Sequence, residues 1–130
     1  MQVGDIVTAF YKTGKYIGEV TGVYPDRCTV KIAAVLRHPA QGDLHNPKEV
    51  EVPFFHERKA LAYREQANIP LTTIQPYEGD IPDYNASLKE SVLKLRNRLE
   101  KEETAFSRKS LEALNAVQRE YELMYNLSWD

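Results

Sequence analysis

From Cys28 to Leu36 the chain alternates: Cys28, Val30, Ile32, Ala34 and Leu36 fall on one side, and Thr29, Lys31 and Arg37 on the other. A period of two is that of a strand with one buried face. Before it, residues 5–12 read as a first strand, Thr13-Gly14-Lys15 as a turn, and residues 16–24 as a second strand in which Gly18 and Gly22 mark bends or bulges. Pro25-Asp26 turns the chain back. After a loop at 38–48 that carries two prolines and a glycine, Val50, Val52 and Phe54 alternate with Glu49 and Glu51, predicting a fourth strand that ends at Phe54 and Phe55. Residues 60–64 have helix-favouring composition, but Leu61 and Tyr63 alternate and the segment is assigned to strand. Asn68-Ile69-Pro70 breaks the chain, and residues 71–75 supply the last strand. Short strands with tight turns over residues 1–76 predict a small closed cylinder of the SH3-like kind, because closure removes exposed sheet edges.

The period then changes. Leu88, Val92, Leu95 and Leu99 recur at steps of four, three and four, and Leu111, Leu114, Val117, Tyr121 and Met124 form a second stripe. Ser87-Leu88-Lys89-Glu90 has the form of a capping box, and the charged stretch at 101–104 separates two antiparallel helices. Composition supports the division: all six glycines and all seven prolines lie at or before Pro82, and both residue types are costly inside helices. The expected class is therefore mainly β plus α: an SH3-like β-barrel at 1–76, a linker at 77–86 and an α-helical hairpin at 87–127. Each helical stripe is narrow, so the hairpin needs a partner surface, either the barrel or a second copy of the chain in a homodimer.

A formal net charge of −2 in 130 residues argues against a polyanion as partner, since nucleic acids are held by clustered Lys and Arg. Residues 1–76 carry nine Lys/Arg against eight Asp/Glu, and residues 77–130 carry eight against eleven; neither part has a basic excess that matters. Nucleic acid is accordingly an unexpected cargo. Cys28 is the only cysteine, which excludes an internal disulfide and makes a reducing compartment the simpler setting; its place in the alternating strand predicts a small buried hydrophobe. No stretch of about 18 apolar residues is present to span a bilayer, and the N-terminus lacks a basic segment followed by an apolar run. The expected location is cytoplasmic, at the inner face of the membrane where a partner carries the chain there.

Enzyme signatures are missing: there is no GxxxxGK[ST], GxGxxG, GxSxG or HExxH, and His56 is followed by Glu57-Arg58-Lys59-Ala60 without the second histidine a zinc protease needs. His38, Asp43, His45 and His56 gather imidazole and carboxylate in and beside one loop, but at a spacing that matches no metal motif. No metal, cofactor or catalytic residue is expected. Phe54-Phe55-His56-Glu57-Arg58 joins two rings to ionisable groups at a strand end; alternation makes one ring core, and Phe55 either faces outward as a contact anchor or lies under the helices. The candidate partner-binding residues are His38, Asp43, His45, Phe55, His56, Glu57 and Arg58. Trp129 is either a docking anchor or part of a loose tail.

Taken together, Gly4-Asp5-Ile6-Val7, Leu36-Arg37-His38-Pro39, Gln41-Gly42-Asp43-Leu44-His45-Asn46-Pro47, Phe54-Phe55-His56-Glu57-Arg58-Lys59-Ala60-Leu61 and Ile81-Pro82-Asp83-Tyr84 resemble the kinase-associated protein B family across nearly the whole chain. The resemblance implies an SH3-like barrel with C-terminal helices. It also implies a non-enzymatic accessory protein that activates a membrane sensor histidine kinase feeding the sporulation phosphorelay of spore-forming Gram-positive bacteria. The family is described as a lipoprotein, whereas Cys28 follows Tyr24-Pro25-Asp26-Arg27 with no apolar leader, so no lipid anchor is expected at that position. An RNA- or ribosome-associated SH3-like module is the alternative function, and a metal-dependent hydrolase the least supported one.

Overall fold

The computed structural model describes every residue except Leu44, Pro53 and Asp130. Five antiparallel strands, β1 (Ile6–Tyr11), β2 (Gly14–Val23), β3 (Arg27–Arg37), β4 (Gln66–Pro70) and β5 (Ile74–Pro76), form one sheet in the order β4-β3-β2-β1-β5. Helices α1 (Tyr84–Glu102) and α2 (Ala105–Met124) follow.

The expected closed cylinder is corrected here. β4 and β5 stand at opposite edges of the sheet, joined by one 3-10 turn, Leu71–Thr73, and no ladder runs between them among the described residues. Each of these edge strands ends in a proline, Pro70 and Pro76, which has no N–H to extend a ladder. The fourth strand predicted at Val50 to Phe54 is absent as well among the described residues of that segment, which leave out Pro53. Those residues are irregular, and Lys109 of α2 reaches the Val50 carbonyl at 3.3 Å. Residues 60–64 are irregular too, with Arg64 in a left-handed turn (φ 69°) that leads into β4. The real fourth strand contains Asn68-Ile69-Pro70, where a break was predicted. Ile69 is fully buried opposite Cys28, and because β4 is an edge strand its terminal proline is tolerated.

β1 and β2 are joined through Lys12 and Thr13, both at positive φ (46° and 71°), with Tyr11 paired to Gly14. A two-residue connection of this handedness matches the twist of the strands it joins. Gly18 sits where the pairing of β2 with β3 slips out of register. A Cβ there would stand 2.5 Å from Val30 Cγ1 and 2.6 Å from the Lys31 carbonyl, so the neighbouring strand approaches only because the side chain is missing.

The hairpin docks on the sheet. Leu88, Val92, Leu95 and Leu99 of α1 and Leu114, Val117 and Tyr121 of α2 are buried in one cluster with Val7, Val20, Cys28, Val30 and Ile32. Each such aliphatic side chain contributes about 1.5–3 kcal/mol relative to exposure. Met124, predicted to belong to the second stripe, is exposed at the helix end. The capping box lies elsewhere than expected. Asp83 caps α1 by accepting from the Ala86 N–H at 3.1 Å, while Ser87 sits inside the first turn and accepts the Val35 N–H of β3 at 2.9 Å. The box itself is Thr104 with Ser107, at the start of α2. Among the described residues no helix is long and apolar enough to cross a membrane.

Candidate functional site

The stretch between β3 and β4 carries the sequence-predicted residues, and it is held by side chains instead of a ladder. The Gln41 side chain does the work of a strand backbone: its Oε1 accepts the Arg58 N–H at 2.8 Å and its Nε2 donates to the Arg58 carbonyl at 2.9 Å. One backbone bond, Gly42 N–H to the His56 carbonyl at 2.9 Å, continues the pairing. Further along, three phenols from three elements fix two residues. Tyr121 accepts the Ala60 N–H (2.7 Å), Tyr16 accepts the Leu61 N–H (3.2 Å), and Tyr84 donates to the Leu61 carbonyl (2.5 Å). Burial pushes all three phenols upward, Tyr16 to about 12, so each keeps its proton.

His38 was expected at a contact surface and is instead buried, 2% exposed. Its Nδ1 lies 3.0 Å from the Pro39 carbonyl and its Nε2 lies 2.8 Å from the Tyr121 hydroxyl. A carbonyl only accepts, so Nδ1 carries the hydrogen; Nε2 of the neutral ring then accepts from Tyr121. Desolvation lowers the imidazole pKa to about 4, against a smaller opposing effect of the Pro39 carbonyl.

Arg58 is likewise spent on structure. Its Nη1 donates to the carbonyls of Ala40 (3.0 Å) and Gly42 (3.1 Å), which ties the two halves of the loop together. Phe55 is half-buried beside Phe106 of α2, ring centroids 5.9 Å apart, with Lys109 Nζ 5.2 Å from its centroid. The outward ring is Phe54, 70% exposed and stacked on His56 at 5.8 Å. Alternation failed as a guide to these two rings because the segment is not in a sheet.

His45, His56 and Glu57 are exposed. Asp43 accepts from Asn46 Nδ2 at 3.1 Å and from the His45 N–H at 2.9 Å; the Asn46 bond first, then the His45 amide, hold its carboxyl below the usual carboxylate range. The outer face of the stretch thus presents Phe54, His56, Glu57, His45 and Asp43. His38 is buried, and Arg58, half-buried, turns its guanidinium to the loop carbonyls. Among the described residues, no three His, Cys, Asp or Glu side chains converge in a way that could hold a metal ion.

Behind this stretch lies a cavity of about 400 Å³ between the 38–48 loop and the hairpin. Leu95, Leu99 and Phe106 form part of its wall, and Arg37, Lys48 and Arg98 also line it. Sequence reasoning missed Gln41, Tyr16, Tyr84 and the cavity arginines. The tyrosines did carry a signal, since a phenol at a core position of a helix or strand requires a polar partner.

Compared with known proteins, residues 11–122 match the family described as Kinase associated protein B. The chain is 52% identical over 120 residues to Kinase-associated lipoprotein B of Bacillus subtilis (strain 168), covering 92% of this chain and 94% of that protein. It is also similar to the crystal structure of kinase-associated protein B from Bacillus cereus, with a TM-score of 0.81, 42% identity, and 94% and 98% of the two chains covered.

Proposed function

The chain belongs to the kinase-associated protein B family, and from that premise we propose that it is a non-enzymatic accessory protein that activates a sensor histidine kinase of a sporulation phosphorelay through protein contacts. The observation that carries the reading is near end-to-end relatedness, 52% identity covering 94% of a protein named for kinase association. The proposed partner is a membrane sensor histidine kinase, which the chain meets from the cytoplasm at the inner face of the membrane. Binding one conformation of such a kinase better than another is enough to change its activity.

In this reading the strand order, with a single 3-10 turn before the last strand, is that of an SH3-like sheet left open at one seam. The contact surface is the outer face that bears Phe54, His56, Glu57, His45 and Asp43. Phe54 is its anchor, since aromatic side chains, phenylalanine among them, are enriched in the cores of protein interfaces.

The test is reconstitution. The kinase's catalytic portion is incubated with radiolabelled ATP, with and without the full chain, and autophosphorylation and binding are followed together. Saturable binding with faster label incorporation is expected. A kinase that neither binds the chain nor changes its rate overturns the proposal.

A further inference from the structure

We propose that the cavity between the 38–48 loop and the hairpin binds a small amphipathic anion, an acidic head on a short aliphatic chain. Its volume, about 400 Å³, falls in the range of sites that enclose small ligands. Leu95 and Leu99 from α1, Phe106 from α2 and Pro47 from the loop give it an apolar lining. Three cations from separate parts of the chain border the same space: Arg37 at the end of β3, Lys48 in the loop and Arg98 in α1.

None of the three is in an ion pair among the described residues. Two carboxylates also line the cavity, Asp43 and Glu102. The bonds that Asp43 accepts from Asn46 and the His45 N–H come from neutral donors and leave its charge in place, so three cations face two carboxylates and one positive charge is in excess. Guanidinium groups bind carboxylate and phosphate oxygens with two parallel bonds, so an acidic head is the ligand chemistry this mouth favours.

Ser110 adds an independent observation. Ser87, Ser91 and Ser107, also buried on the two helices, each donate to the carbonyl three residues back. Ser110 is just as buried, 1% exposed, and lines the cavity, yet its hydroxyl has no partner among the described residues. Buried hydroxyls are rarely left so. A ligand oxygen seated against the wall would satisfy it.

The test titrates the full chain with octanoate and with octyl phosphate by calorimetry, using octylamine as the cationic comparator. One-to-one binding of an anion is expected, with amide shifts centred on Leu95, Leu99 and Ser110. Both arginines are exposed, so the double variant Arg37→Ala with Arg98→Ala should keep the urea midpoint and bind about tenfold more weakly. Octylamine binding as tightly as the anions overturns the proposal. So does undiminished binding by the double variant, or the lack of saturable binding of either anion at millimolar concentration.

Discussion

The Tyr121 hydroxyl stands between His38 Nε2, at 2.8 Å, and the Ala60 N–H, at 2.7 Å. One side chain of α2 thereby satisfies both ends of the irregular stretch that carries the proposed contact surface. With the Gln41 bonds to Arg58 and the phenols of Tyr16 and Tyr84, this anchorage stands in for a ladder, which the described residues of the stretch do not form.

The buried histidine makes stability depend on pH. The folded ring holds its proton only below about 4, and an unfolded histidine does so below 6.5. Between these values the unfolded chain binds more protons, so stability is complete above pH 6.5 and falls as the pH drops toward 4. The loss attributable to His38 is about 3 kcal/mol at most. Urea titrations of wild type and His38→Gln from pH 7.5 to 4 should converge as the pH falls. Parallel curves would show that His38 is not the group responsible.

Removing the Tyr121 hydroxyl leaves a buried N–H and a buried imidazole nitrogen without partners. Tyr121→Phe should cost about 1–3 kcal/mol in urea denaturation at pH 7.5. It should also speed amide exchange at Ala60 more than at Val30 in the sheet. Uniform acceleration would mean that the hydroxyl supports the whole fold and not this stretch.

Gly18→Ala brings a methyl group to 2.5 Å from Val30 Cγ1 and 2.6 Å from a backbone oxygen. The side chain can move and the carbonyl cannot, so the expected loss is about 2 kcal/mol. Gly22→Ala, where the closest atom is 3.2 Å away on the Tyr24 ring, should lose less. Equal midpoints for the two variants would contradict the register described for β2 and β3.

The residues of the exposed and interior faces should separate stability from binding. Phe54→Ala with His56→Ala should leave the urea midpoint within about 0.5 kcal/mol of wild type while weakening kinase binding. Arg58→Ala removes two bonds to loop carbonyls and should cost about 1–3 kcal/mol, so its effect on binding would arise from loosening the loop. A double variant at Phe54 and His56 that binds normally places the interface elsewhere.

Cys28 is fully buried in β3 opposite Ile69. Its thiol should react with Ellman's reagent in the native state at the rate of unfolding, and promptly in urea. Immediate reaction under native conditions would show that this part of the sheet opens locally.

The sequence by itself determined the first three strands, the burial of Cys28 and the buried stripe of α1. In each, a period of two or of about 3.6 is imposed by a backbone that repeats, and the repeat can be read without knowing the neighbours. The seven motif-bearing residues between β3 and β4 had no such repeat behind them. Whether His38 lies inside depends on Tyr121, 83 positions away, and the course of the chain around Phe54 on the bonds between Gln41 and Arg58, 17 positions apart. Hydrogen bonds from single side chains have no period. Only the tertiary structure could decide which faces of this stretch meet solvent, where the sheet stops short of closing, and that a cavity bordered by three cations lies between the loop and the helices.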